Sequence, residues 1–233
     1  MNRTLTRVLL FGSGISAGVA MTIGVNRFYE STSQTQNIKP KLESIHLKTA
    51  LYTKGDPILG KSSAPLTIIV FSDYECPYCK RFHDKVLPKL KKDYIDRGVV
   101  RLIHKDLPLP FHSNADLSAR VARCSVDNQK YWITYSELFK AQDCLSCLGP
   151  TKIAERFHRG NEATFKSCIN SKKTQAAILS NISEAQLNNI KGTPTFVIGM
   201  TEEGMQGGKV IEGAIPWSVL KQEVENILSK HTP

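Results

Sequence analysis

Phe71-Ser72-Asp73-Tyr74-Glu75-Cys76-Pro77-Tyr78-Cys79 is where the chain changes from one periodicity to another. Ahead of it, Leu66-Thr67-Ile68-Ile69-Val70-Phe71 is a continuous apolar, β-branched run that starts after Pro65. Such a run reads as a strand buried on both faces. Behind it, Cys79, Phe82, Val86 and Leu90 recur at helical spacing, with Lys80, Asp84 and Lys91 off that face. Pro77 suits the first helical turn, where its missing N–H would have had no partner. Pro88 lies inside the helical pattern and predicts a kink. Gly98-Val99-Val100-Arg101-Leu102-Ile103 is the next strand, so the unit is a right-handed βαβ with parallel strands.

The two cysteines of that stretch sit at the junction of strand and helix. Unpaired N–H groups and the helix dipole place roughly half a positive charge there. A thiolate is stabilised in that position and its pKa falls below that of a free thiol. A low-pKa sulfur is also a good leaving group in thiol–disulfide exchange. Cys76 is therefore expected to be the exposed, attacked sulfur and Cys79 the more buried partner. A zinc site is the competing reading, because Cys144-Leu145-Ser146-Cys147 repeats the spacing. The 64 residues between the pairs far exceed the ribbon spacing of about 15–20. No metal is expected.

Upstream, Leu47, Thr49 and Leu51 alternate and predict a possible leading strand. From Ser113 to about Ile190 the pattern is helical. Leu117, Val121 and Cys124 share one face, Trp132, Tyr135 and Phe139 another, and Phe165, Cys168 and Ile169 a third behind Asn161, a candidate N-cap. Strand character returns at Thr195-Phe196-Val197-Ile198-Gly199. Gly204 to Gly208 then turn the chain into Lys209-Val210-Ile211, an antiparallel hairpin. Pro216 opens a last helix with Trp217, Leu220, Val224 and Ile227 on one face. The fold class is α/β: a thioredoxin-like arrangement with a helical insertion at about 113–190.

Gly192-Thr193-Pro194-Thr195 precedes the late strand. Together with Asp56-Pro57-Ile58-Leu59-Gly60, Ala64-Pro65-Leu66-Thr67-Ile68, the cysteine stretch and Phe82-His83, it carries a resemblance over residues 56–230. The sequence resembles the DsbA-like thiol:disulfide oxidoreductases of the thioredoxin superfamily, in particular their membrane-tethered or secreted bacterial members. The resemblance implies catalytic Cys76 and Cys79, with Pro77 and Tyr78 tuning them. It implies a cis Thr193–Pro194 bond facing Cys76, and a substrate laid along the main chain of Thr193 as a short added strand. No bound cofactor is required. The implied partners are reduced exported proteins and a membrane quinone-linked thiol oxidase. Many relatives carry a buried acid at the position of Val70, so Asp73, Glu75 or water are the alternatives for proton traffic here. Tyr78 stands where strongly oxidising relatives have a histidine, and a neutral phenol stabilises the Cys76 thiolate less, which implies a milder oxidant. The resemblance also implies a structural Cys124–Cys168 bridge, leaving Cys144 to pair with Cys147. An isomerase or reductase kept reduced by a partner, and a non-catalytic adaptor, remain as alternatives.

Composition narrows the setting. The chain has 233 residues, 41% hydrophobic and 22% charged, with a formal charge of +10. The basic residues are scattered, without the stripe or reading module of a nucleic-acid binder. Arg3 and Arg7 precede Val8–Val25, an uncharged stretch of 18 residues closed by Arg27 and Glu30. Residues 1–30 therefore read as a signal peptide or N-terminal membrane anchor. Residues 31–62 read as a linker with the possible leading strand, and 63–233 as the DsbA-like domain. A periplasmic or other extracytoplasmic location follows, with an inner-membrane tether through residues 8–25 as one form of it. Outside the cytosol an even cysteine count favours disulfides.

Overall fold

The structure is a computed structural model that describes residues 47–125, 128–157, 162–205 and 207–231. The leader or anchor at 1–30, the linker at 31–45 and the N-cap expectation at Asn161 lie outside the described residues. Five strands make one sheet: β1 (Ile58–Leu59), β2 (Leu66–Ser72), β3 (Val100–Asp106), β4 (Thr195–Met200) and β5 (Lys209–Glu212), in the order β1-β3-β2-β4-β5. β2 and β3 run parallel, with Leu66 opposite Val100 and Ser72 opposite Asp106. β1, β4 and β5 pair antiparallel to their neighbours. β2 is buried at every residue, as its unbroken apolar run requires.

Alternation along the strands separates two cores. Leu66, Ile68, Val70, Leu102, Phe196 and Ile198 pack under the helix that follows β2. Ile69, Phe71, Ile103 and Val197 pack on the other face with Leu51, Ala185, Ile190 and Met205. In place of a leading strand, Leu51 makes a single antiparallel bridge to Met205. Lys48 to Ala50 join no strand ladder, and the short strand of this region is β1 instead. The segment upstream of 63 is thus fastened to the sheet.

The helix after β2 is α1 (Pro77–Arg81), continued by α2 (Leu87–Leu90). Two wide turns, Phe82–Val86 and Lys91–Ile95, interrupt the regular winding. Pro88 has no N–H to offer the preceding turn, and the winding widens just ahead of it, with the Leu87 N–H reaching back to the Phe82 carbonyl. The irregularity expected at Pro88 is therefore spread over the turns that flank it.

Between β3 and β4 lie α3 (Ala115–Arg123), α4 (Asn128–Lys140), α5 (Leu145–Leu148), α6 (Pro150–Glu155), α7 (Glu162–Ile169) and α8 (Lys172–Leu187), the expected helical insertion. Leu117 departs from its predicted face and lies at the surface, while Val121 and Cys124 are buried. α9 (Trp217–His231) closes the fold after Pro216. Charge as well as apolar packing holds the insertion to the sheet. The Lys105 ammonium, fully buried on β3, meets Asp56 at 2.5 Å and Glu184 of α8 at 2.6 Å. Arg123 at the end of α3 pairs with Asp106 of β3 and with Asp56 at 2.8 Å.

Candidate active site

β2 delivers the chain to the site, and Asp73 shapes the turn. Its carboxylate accepts the N–H of Glu75 at 2.7 Å and that of Leu109 at 2.7 Å, and it meets His112 Nδ1 at 2.8 Å. The Cys76 N–H closes on the Asp73 carbonyl at 3.2 Å. Cys76 then caps α1 in an extended conformation, Pro77 occupies the first turn, and the Lys80 N–H makes the first helical bond to the Cys76 carbonyl at 3.1 Å. The Glu75 carboxylate holds Asn114 through its backbone N–H at 2.5 Å and its side-chain amide at 3.0 Å. Asp73 and Glu75 thus anchor the loop between β3 and α3.

The cysteines are free thiols and differ sharply in environment. The Cys76 thiol lies 3.2 Å from the Thr193 carbonyl, to which it donates. Its pKa is pulled down to about 6, first by the Cys79 thiol donating to the thiolate, then by the Thr193 hydroxyl and the N–H groups of Cys79 and Tyr78. Only the last of these, the N–H groups, is the stabilisation expected at a helix start; the larger part comes from the two side chains. Cys79 moves the other way: burial pushes its thiol well above the ordinary range, and the neighbouring Cys76 thiolate adds to this. The expected exposure of Cys76 needs correcting. The residue is only 4% exposed, against 1% for Cys79, because the Thr193–Pro194 loop covers it. Cys79 is still the more deeply buried of the two: burial dominates at Cys79, hydrogen bonds at Cys76.

Thr193–Pro194 is a cis peptide. The loop is pinned by Thr195 Oγ1 donating to the Gly192 carbonyl at 2.8 Å and by the Gly213 N–H donating to the Pro194 carbonyl at 2.8 Å. The Thr193 hydroxyl is buried and has no other partner among the described residues, so it is available to the Cys76 thiolate. Tyr78 is 49% exposed, with the Arg81 guanidinium 5.4 Å above its ring centre, a cation–π contact at the rim of the site. Val70 lies in register with His104 and Phe196 on the face below the helix.

Sequence reading missed several residues that the fold brings to this place. Ser72 supplies a hydroxyl to Cys79. Tyr135 is fully buried, and its raised pKa reflects burial and then Cys79. His104, fully buried, is held neutral by desolvation, its pKa pushed down to about 3. It pairs with the Tyr131 hydroxyl at 2.7 Å, and Tyr131 in turn lies 3.2 Å from the Tyr74 hydroxyl. Gln142 reaches the cysteine loop from the turn after α4. Of these residues periodicity marked only Tyr135, and periodicity says buried, not beside which atom. His83 is engaged elsewhere, between Asp84 at 2.7 Å and Ser136 at 3.1 Å.

The remaining four cysteines form two bridges, Cys124–Cys168 and Cys144–Cys147. Among the described residues no group of three or more His, Cys, Asp or Glu side chains is placed to hold a metal ion.

Sheet, helix and proline loop are those of the thioredoxin fold with a helical insertion, and the chain is a thiol–disulfide oxidoreductase of the DsbA-like kind. A family model described as Thioredoxin matches residues 52–217, and the chain belongs to that family. It is 28% identical over 183 residues to disulfide bond formation protein D of Bacillus subtilis, covering 75% of this chain and 78% of the relative. It is 23% identical over 201 residues to a putative protein-disulfide oxidoreductase of Rickettsia conorii, covering 83% and 71%. Among solved structures, oxidised BdbD from Bacillus subtilis matches with a TM-score of 0.66 at 25% identity, over 79% of this chain and 98% of that one. The α-DsbA1 structure from Wolbachia pipientis has the same fold, with a TM-score of 0.65 at 24% identity over 77% and 94%.

Proposed function

We propose that this protein introduces and exchanges disulfides in exported proteins through Cys76 and Cys79. The observation that carries the proposal is the asymmetry of the pair. Cys76 is stabilised as an anion by the Cys79 thiol, the Thr193 hydroxyl and the N–H groups at the start of α1, while Cys79 is disfavoured as one. In the oxidised enzyme a substrate thiolate attacks the Cys76 sulfur. The Cys76–Cys79 bond breaks, its electron pair leaves on Cys79, and Cys79 takes up a proton. The mixed disulfide is held along the backbone of Thr193, where main-chain recognition tolerates many sequences. A second substrate thiolate attacks the substrate sulfur and releases Cys76 as a thiolate, the better leaving group of the two. The substrate has lost two electrons and the enzyme pair has gained them.

Pro77 and Tyr78 modulate the pair, and the neutral phenol of Tyr78 supports a mild oxidant. A membrane quinone-linked thiol oxidase would restore the disulfide. Residues 1–30 would export the chain or tether it to the inner membrane through 8–25, and 31–62 would join that segment to the DsbA-like domain at 63–233. No helix of the described residues is long and apolar enough to cross a membrane. Similarity to disulfide bond formation protein D supports the disulfide chemistry at Cys76 and Cys79.

The test is capture. Cys79→Ala should accumulate mixed disulfides with exported, cysteine-containing proteins, released by reductant and identified by mass spectrometry. Cys76→Ala should capture nothing. Equal capture by both variants would sink the assignment.

A further inference from the structure

The second cysteine pair lies in a segment fastened directly to the first. The Gln142 side-chain amide donates to the Tyr74 carbonyl at 2.7 Å and to the Cys76 carbonyl at 3.0 Å. Those carbonyls flank Glu75, at the point where the chain enters α1, and the Cys76 carbonyl also accepts the first helical bond. Gln142 begins a tight turn, Gln142–Cys144, closed by the Cys144 N–H on the Ala141 carbonyl at 2.9 Å. The last residue of that turn is bonded to Cys147. Leu145, 1% exposed, is plugged into the core between the two cysteines. A second tie runs the other way, the Lys80 ammonium donating to the Phe139 carbonyl at 2.9 Å.

The bridge spans only three residues of sequence separation, whereas Cys124–Cys168 spans 44. Chain-entropy stabilisation falls as the closed loop shortens, so the short bridge does less for global stability. Cys147 is exposed and Cys144 half-buried, so core packing does not require the bond either. What it fixes is local: the path of the segment that carries Gln142. Withdrawing the amide leaves the Tyr74 carbonyl without that donor and the Cys76 carbonyl with one fewer. It also loosens the entry to α1, whose Tyr78 and Cys79 N–H groups face the Cys76 sulfur.

We propose that Gln142 is a positioning residue for exchange at Cys76, and that the Cys144–Cys147 bridge is the brace that holds it there. The inference rests on Cys76 being the exchanging sulfur, as proposed above. Reacting geometry is intolerant of small displacements, so a brace outside the reacting atoms is felt at them.

The test uses the full chain in three forms: Gln142→Met, the pair Cys144→Ser with Cys147→Ser, and all three changes together. Two readouts are followed. One is the absorbance titration of the Cys76 thiolate in the reduced protein. The other is the rate at which the oxidised protein oxidises a model dithiol peptide. Gln142→Met should move the thiolate titration to higher pH and slow the reaction about tenfold, the size of a hydrogen bond or two. Removing the bridge should shift both in the same direction. The triple variant should match Gln142→Met within about twofold, because both changes act through one contact. Should the serine pair fail to fold, Cys144→Ala with Cys147→Ala takes its place, and it too should shift both readouts in the direction of Gln142→Met. An unchanged titration in Gln142→Met, or effects that multiply in the triple variant, overturns the proposal. The titration needs no substrate, so it decides this inference even where an inactive wild-type chain has refuted the function.

Discussion

Raising the pH should stabilise the reduced protein relative to its oxidised form, by an amount the site itself sets. The Cys76 pKa is about 6 in the reduced fold, against an ordinary value of 9.0. Between those values the folded protein holds fewer protons than the unfolded chain, so stability rises with pH. The contribution is fully present above the unfolded value and is lost as pH falls through about 6. At about 1.4 kcal/mol for each pH unit of separation, it is about 1.4 kcal/mol at pH 7 and about 3 kcal/mol at pH 8.5. At pH 5 it is close to zero. In the oxidised form Cys76 does not titrate, and the histidines are common to both forms, so the difference isolates the thiolate. Urea unfolding of both forms at pH 5, 7 and 8.5 measures it, with Cys76→Ser as a flat control. A difference that stays constant across this range refutes the electrostatic account of the site.

Thr193→Val keeps the shape of the residue but removes the hydroxyl that supports the thiolate. It should cut the thiolate-to-thiol ratio at pH 6 about tenfold, read by absorbance titration; no change would show that the hydroxyl does not reach the sulfur. Arg123→Leu strands the buried carboxylate of Asp106 and leaves Asp56 with Lys105 as its remaining cation. It should cost about 3–5 kcal/mol in urea unfolding, and a loss below about 1 kcal/mol would argue against a working ion pair. Replacing Cys124 and Cys168 together by Ser should cost about 2–4 kcal/mol while the Cys76 titration stays in place. A shifted titration would mean that this bridge, too, reaches the site.

How much of this the sequence could reveal depended on whether the information was local. The uninterrupted run from Leu66 to Phe71 and the helical recurrence of Cys79, Phe82, Val86 and Leu90 place β2, α1 and the cysteine pair, because periodicity and Pro77 act within a few residues of themselves. β4, β5 and α9 were legible for the same reason. The cis geometry before Pro194 is not a local property and came only with the family resemblance. β1 went unseen because two residues hold no period, and Leu51 proved a lone bridge because its partner, Met205, is remote in sequence. Cys76 read as exposed because the loop that covers it lies 117 residues away. Gln142, Ser72, His104 and Tyr135 fall in the same class. Their residue types are ordinary, and only the folded chain sets them against particular atoms.

The buried charges on β3 limit how this molecule can move. Swinging the helical insertion off the sheet would break the buried pairs of Lys105 with Glu184 and Arg123 with Asp106. A clamshell cycle would have to break both pairs on every turn. Partners must be received on a surface already in its final form, and any adjustment falls to short segments such as the one bearing Tyr78.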